Sequence, residues 1–325
     1  MTSLKTKYIG LELRNPLMVS SSGLTDSIDK LKVAEDNMAG AVVLKSLFEE
    51  QINYQAGSLQ SSSDYTEASD YIAYYTKAHA LENYLNLIRK AKESLEIPVI
   101  PSINCISSND WINFARNIEE AGADALEINV FFLPRDKKMN PVDAEKLYFD
   151  LIEKLKRMIR IPVAIKLGQR FTNLLYVADQ LYNRGVEGVV LFNRFYEPDI
   201  DINTLNITPA SVFSTPEDKR YVLRWVSMVD AIVDRLSIAA STGVHSGNDA
   251  IKYILAGADA VQVCSVLYKS GIEYLKDMVT ALESWMDSKG YKTVDEFRGI
   301  LNYSNISEPG KYERSQFMKY FSSYE

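Results

Sequence analysis

Residues 237–266 read SIAASTGVHSGNDAIKYILAGADAVQVCSV. The stretch opens with a short apolar run, SIAASTG (237–243), and turns at glycine. It continues through a helical pattern, SGNDAIKYILAGAD (246–259), and ends in a second apolar run, AVQVCSV (260–266). Nearly continuous apolar runs of this length fit strands that are covered on both faces. Two such strands joined through a helix lie parallel, because only a crossover can return the chain to the same edge in the same direction.

The same unit recurs toward the N-terminus. Apolar, β-branched runs occur at PLMVSSSG (16–23), GAVVLKS (40–46), PVIPSINC (98–105), ALEINVFF (125–132), PVAIKLG (162–168) and GVVLFNR (188–194). Helical patterns fill most of the gaps: NDWINFARNIEEAGAD (109–124), VDAEKLYFDLIEKLKRMIRIP (142–162) and TNLLYVADQLYNRG (172–185). The first and third stop at glycine and the second before Pro162. Eight strand–helix units over roughly 250 residues predict a TIM (β/α)8 barrel of the α/β class. A doubly wound sheet is the alternative, although about six strands usually complete one.

The barrel is expected over residues 1–301, with a Tyr-rich tail at 302–325. Connections at 47–81 and 195–216, after the second and sixth strands, are too long for simple crossovers and are expected to be functional covers. A helical pattern follows the eighth strand at 271–289.

Of the 325 residues 46% are hydrophobic, enough for a substantial core. With 43 acidic against 36 basic residues the net charge is −7, which argues against a nucleic-acid partner, since a phosphate backbone calls for a concentrated cationic face. No run approaches the roughly 20 apolar residues that cross a bilayer, and MTSLKTKYIG at the start has no signal-peptide core. A soluble, cytoplasmic protein acting on a small molecule is expected. Cys105 and Cys264 stand far apart, which suggests neither a disulfide, a metal site nor an iron–sulfur centre.

In a (β/α)8 barrel the working face is formed by the C-terminal ends of the strands. The residues there are Ser20, Ser21, Ser22 and Gly23; Lys45 and Ser46; Asn104; Asn129; Lys166; Asn193; Thr242 and Gly243; Cys264 and Ser265. Lysines and asparagines are out of place in buried strands. A buried ammonium costs several kcal/mol unless paired, so Lys45 and Lys166 call for an electron-rich ligand or for a carboxylate such as Glu127. The loops after strands seven and eight, STGVHSGNDA and CSVLYKSG, have the glycine turn and helix start that commonly hold a phosphate in such barrels.

Together these stretches resemble the dihydroorotate dehydrogenase family, especially its soluble class 1 branch, whose members are FMN-dependent TIM barrels. The matching pieces are NPLMVSSSG, AGAVVLKS, ADALEINV, IPVAIKLG, the Asn193 strand end, the long run from STGVHSGND to YKSG and YKTVDEFRGIL. The resemblance implies that Ser21, Ser22 and Gly23 pass along the flavin with Lys45 and Ser46 beside it. It puts Lys166 near the pyrimidine edge of the ring, where a positive charge stabilises the reduced form. Asn129 and Asn193 would face cofactor and substrate; Thr242, Gly243, Cys264 and Ser265 would hold the phosphate. It also implies a homodimer.

The departures concern the substrate side. The family has a cysteine or serine base after strand four, and the matching position here is Phe132, whose ring cannot accept a proton; losing a general base typically costs about 10²–10⁴ in rate. DYIAYYTKAHALENY replaces the asparagine-rich loop after strand two, Arg194 replaces a serine, and Val244 replaces the second glycine of the phosphate turn. His79, in the replaced segment, is a candidate substitute base by residue type, against the common reading of a lone helical histidine as a surface residue. Tyr74, Tyr75, Ser107 and Asp136 carry no spacing argument, and His245 reads as structural or phosphate-adjacent. Phe131 and Phe132 are read either as packing over the cofactor or as core. Three functions follow: an FMN-dependent oxidoreductase acting on dihydroorotate or a dihydropyrimidine-like molecule, a flavin-binding protein without that activity, or a Schiff-base aldolase using Lys166.

Overall fold

The computed structural model describes residues 2–48, 66–104, 109–130, 132–195, 197–233 and 235–313, with side chains in the helices at 66–94 and 109–120 described from His79 and Phe114 onward. The chain opens with an antiparallel hairpin, β1 (Thr6–Tyr8) and β2 (Leu11–Leu13). Parallel strands follow: β3 (Leu17–Val19), β4 (Ala41–Val43), β5 (Leu47–Phe48), β6 (Val99–Ile100), β7 (Ser102–Asn104), β8 (Leu126–Asn129), β9 (Val163–Leu167) and β10 (Gly188–Leu191). A second hairpin, β11 (Pro198–Asp201) and β12 (Asn206–Pro209), precedes the last two parallel strands, β13 (Ser237–Ser241) and β14 (Ala260–Val263).

The parallel segments pair in the order β5-β7-β8-β9-β10-β13-β14-β3-β4-β6. This order closes on itself. β4 and β5 are two halves of one strand and β6 and β7 of another, with β4 paired to β6 and β5 to β7. The ten segments therefore make eight strands in a ring, a TIM barrel. A doubly wound sheet would keep two free edges.

Helices surround the ring: α1 (Ile28–Asp36), α2 (Thr66–Ser94), α3 (Asn109–Glu120), α4 (Pro141–Lys156), α5 (Leu174–Tyr182), α6 (Lys219–Ile232), α7 (Gly247–Ala256), α8 (Ser265–Ser270) and α9 (Tyr274–Lys289). Their caps are those the residues suggest. Asn140, Asn173 and Ser246 each accept a first-turn N–H, and Gly257 ends α7 in the left-handed region at φ +119°. No helix among the described residues is long and apolar enough to cross a membrane.

Two apolar layers follow from the alternation of side chains along each strand. Leu126, Ile165, Val189, Ile238 and Val261 face outward and pack with helix residues such as Ile152, Val177, Val226 and Ile254. Met18, Val43, Ala125, Ala164, Ala239 and Ala260 face inward, where Tyr8, Ile9 and Leu13 of the first hairpin close the bottom. Gly188 makes room for this plug, since a Cβ there would lie 2.4 Å from Ile9 Cγ2.

The expected loops change on folding. Helix α2 begins at Thr66, so the second half of the 47–81 connection is helix; residues 49–65 lie outside the described residues. The strand-like alternation in 195–216 becomes β11 and β12. In the tail, Asn302 donates to Asp230 Oδ2 at 2.7 Å and Tyr312 to Leu301 O at 2.7 Å, while 314–325 are outside the described residues.

Candidate active site

A cavity of about 490 Å³ opens at the C-terminal ends of the strands, inside the size range of small-molecule and cofactor sites. Ser21, Ser22 and Gly23 form one wall, and Thr242, Gly243, Cys264 and Ser265 another. Lys166 and Asn193 also line it. Two predicted residues stand immediately behind this lining. Asn129 accepts from Asn193 Nδ2 at 2.9 Å, and the Ser46 and Ser21 hydroxyls are 2.9 Å apart. Ser46 continues inward to Ser102 Oγ at 2.7 Å, beneath which Tyr84 exchanges hydrogen bonds with the Ser102 backbone.

Lys166 is 5% exposed and its ammonium has three partners: Gln262 Oε1 at 2.7 Å, Ser20 Oγ at 3.2 Å and Glu127 Oε1 at 3.3 Å. The carboxylate weighed as a lysine partner is thus present, and Lys166 still lines the cavity. A lysine whose ammonium donates to three acceptors in this way is poorly placed as a carbonyl nucleophile, which weakens the Schiff-base reading.

Lys45 differs from expectation. Its side chain is exposed and does not line the cavity, because pairing stops at Val43 and resumes at Leu47. In that gap the Lys45 N–H bonds to Thr25 O at 3.2 Å rather than to a sheet neighbour. His79, also exposed, lies on α2 away from the cavity lining. Asn104 ends β7 half-buried and outside the lining, and Asp136 is exposed. Cys105, Ser107, Phe131 and the side chains of Tyr74 and Tyr75 lie outside the described residues.

Phe132 does not cover the cavity. It packs on the outer apolar shell and lines a separate pocket of about 240 Å³ with Tyr148 and Phe171, whose rings meet edge-on at 5.4 Å. The position at which the resemblance implies a base is therefore turned toward the α4 side of the barrel.

The glycine turn after β13 is built for close approach. Gly243 has φ +76°, and a Cβ on it would lie 2.4 Å from Lys219 N. Thr242 is itself in the left-handed region at φ +80°, a strained conformation for a β-branched residue. It is held by its own hydroxyl to Phe192 O at 3.1 Å and by Tyr253 donating to its carbonyl at 2.6 Å. Val244 lines the cavity without needing a positive φ.

The 195–216 connection, expected as a functional cover, supplies a wall of the cavity through Val212, Phe213 and Ser214. Arg194 bonds Asp218 Oδ2 at 2.8 Å and Ser211 O at 2.7 Å, drawing the end of this segment to the barrel mouth. Ser214 then donates both its N–H and its hydroxyl to Ser265 Oγ, at 3.0 and 3.1 Å. His245 stands beside this pair, Nε2 at 3.1 Å from Ser214 Oγ, with its pKa lowered by burial and by Lys269. Burial raises the Cys264 thiol, against the pull of Ser22 and Lys166. Gln262 was also missed, although a glutamine in the apolar run AVQVCSV is as anomalous as a lysine in PVAIKLG.

The arrangement combines a buried cation, a hydroxyl-lined wall and a glycine turn beside Ser265, a donor set suited to an electron-rich ring carrying a phosphate. Residues 3–286 match the family model described as dihydroorotate dehydrogenase. The catalytic subunit of dihydroorotate dehydrogenase B (NAD(+)) from Thermoplasma acidophilum is 28% identical over 306 residues, covering 92% of this chain and 99% of that protein. The Methanocaldococcus jannaschii subunit of the same name is 26% identical, covering 92% and 98%. The chloroplastic dihydropyrimidine dehydrogenase (NADP(+)) of Arabidopsis thaliana is 24% identical, covering 89% and 75%. The chain belongs to the dihydroorotate dehydrogenase family, a family of oxidoreductases.

Proposed function

We propose that this chain is an FMN-dependent oxidoreductase that oxidises dihydroorotate, or a related dihydropyrimidine-like small molecule, by hydride transfer to the flavin. The observation that carries the reading is one cavity lined both by the buried Lys166 and by the turn at Thr242, Gly243 and Ser265. FMN supplies the hydride acceptor, and a nearby cation favours its reduced form. The chain's own residues would bind and orient it. Lys166 meets the electron-rich edge of the ring, Ser21, Ser22 and Gly23 run along it, and Gly243, Cys264 and Ser265 hold the phosphate. Asn193, steadied by Asn129, faces the reacting side, Ser46 stands behind Ser21, and Lys45 would flank the ring only by turning in from its exposed position.

A second reading, flavin binding without dihydroorotate oxidation, is favoured by the direction of Phe132. Among the described cavity residues Lys166 and Arg194 are already paired, and burial raises the Cys264 thiol. His79 remains the proposed substitute base if its helix approaches bound substrate.

The visible absorption spectrum of the purified protein tests the cofactor, and anaerobic addition of dihydroorotate and of dihydrouracil tests the chemistry. Bleaching of the flavin by either substrate supports the first reading, and a yellow protein that neither bleaches supports the second. A colourless protein that cannot be loaded with FMN defeats both, and trapping of a carbonyl substrate by borohydride would then favour the aldolase.

The barrel of residues 1–301 with its tail is proposed to act in the cytoplasm as a homodimer. Support for the dimer comes from the second hairpin, where Ile200, Ile202, Leu205 and Ile207 are exposed on a two-stranded ribbon. Sedimentation of the wild type against an Ile200→Asp, Ile207→Asp double variant tests it.

A further inference from the structure

The barrel interior changes from apolar to ionic in one step along its strands. Glu127, Lys166 and Gln262 each stand two residues beyond a buried alanine, Ala125, Ala164 and Ala260. Because side chains alternate along a strand, each polar residue shares the inner face with its alanine. Three different strands, β8, β9 and β14, thus send a carboxylate, an ammonium and an amide into one layer.

The hydrogen bonds of this layer are directional. Gln262 Oε1 accepts from Lys166 Nζ at 2.7 Å and from Ser20 Oγ at 3.0 Å, while its Nε2 donates to Glu127 Oε2. The reversed amide would set an N–H against the ammonium and a carbonyl against the carboxylate, so the two charged neighbours fix its orientation. Glu127 is 1% exposed and accepts from both the cation and the amide. Lys166 and Gln262 line the cavity, and Glu127 does not. A buried ammonium is strongly disfavoured without a counter-charge, and this one has a single carboxylate within reach among the described residues.

We propose that Glu127 and Gln262 are positioning residues that act on the flavin through Lys166: Glu127 sets how much positive charge the cavity feels, and Gln262 fixes where the ammonium points. The inference rests on the flavin reading above. With Glu127 neutralised, Lys166 keeps Gln262 and Ser20 as acceptors and has only the cofactor as counter-charge, which favours the reduced, more negative form. With Lys166 removed, Glu127 no longer has the ammonium through which it acts, so that further change at Glu127 is expected to have little effect.

The test is the two-electron midpoint potential of the FMN-loaded protein, measured by anaerobic dye equilibration. Glu127→Gln is expected to shift the reduction equilibrium at least tenfold toward the reduced form, about 30 mV upward for a two-electron couple. Lys166→Met and Gln262→Met are expected to shift it downward. Glu127→Asp, which keeps the carboxylate, is expected to stay near wild type. In the Lys166→Met background the added Glu127→Gln change is expected to move the equilibrium by less than threefold. Should the Glu127→Gln single variant not fold, Gln262→Met and the double variant carry the test, because a shift of more than threefold in the Lys166→Met background contradicts action through Lys166. An unchanged potential in Glu127→Gln or in Gln262→Met, or the same Glu127→Gln shift in both backgrounds, overturns the proposal. A wild type that stays colourless at saturating FMN removes the flavin reading and this inference with it; a yellow wild type with unshifted variants removes the inference alone.

Discussion

Asn193 Nδ2 donates to Asn129 Oδ1 at 2.9 Å, so the side chain beyond strand six is held by the one that ends strand four. Asn129 is buried and Asn193 faces the cavity, which makes the first a support for the second. Truncation of Asn129 leaves an amide unpaired and free to turn. Asn129→Ala is expected to weaken FMN binding about tenfold, equivalent to about 1.4 kcal/mol. Fluorescence titration of the apoprotein checks this, and unchanged affinity would separate the pair from the cofactor.

Ser265 offers a sharper test of which part of the cavity meets the phosphate. Its hydroxyl is organised by two donors from Ser214. Ser265→Ala is expected to weaken FMN binding roughly 10- to 100-fold, the range of a hydrogen bond to a charged group of about 1.5–3 kcal/mol. Riboflavin, which lacks the phosphate, should bind wild type and variant alike. Equal losses for both flavins would move the phosphate elsewhere.

Phe132 stands where the resemblance implies a base, yet it lines a pocket with Tyr148 and Phe171 rather than the cavity. Restoring the family's residue type should therefore restore little. Phe132→Cys is expected to change dihydroorotate-dependent flavin reduction by less than about threefold, against the roughly 10²–10⁴ that a working base contributes. Stopped-flow reduction under anaerobic conditions measures it, and a gain of a hundredfold would show that the side chain can turn inward.

Asp259 predicts a pH dependence far from the cavity. Burial pushes its carboxyl up to about 6 from the ordinary 3.8, against the pull of Arg298 and of the Ile238 N–H. A raised folded-state pKa means that the stability it contributes is fully present below about 3.8 and is lost as pH rises through about 6. Asp259→Asn cannot titrate, so the variant should gain on wild type between about pH 4 and pH 6 and run parallel to it above. Urea unfolding midpoints across that range check the sign, and a constant difference would refute it.

Much of this architecture is local and therefore written along the chain. Each parallel strand is covered on both faces and so reads as an apolar run, and most crossovers end at a glycine or before a proline. The eightfold repeat followed, and with it the face on which Ser21, Ser22, Gly23, Lys166, Asn193, Thr242, Gly243 and Ser265 meet. What needed the third dimension is which of these strand-end residues point inward and what stands behind them. Lys45 and Lys166 look alike in the sequence, yet a gap in one ladder leaves the first exposed while an unbroken strand carries the second into the barrel. Glu127 and Gln262 come from strands 135 residues apart, and only closure of the ring brings them to the same ammonium. The path of Phe132 was equally hidden, because a side chain's direction beyond the last paired residue depends on what packs against it, and no periodicity encodes that.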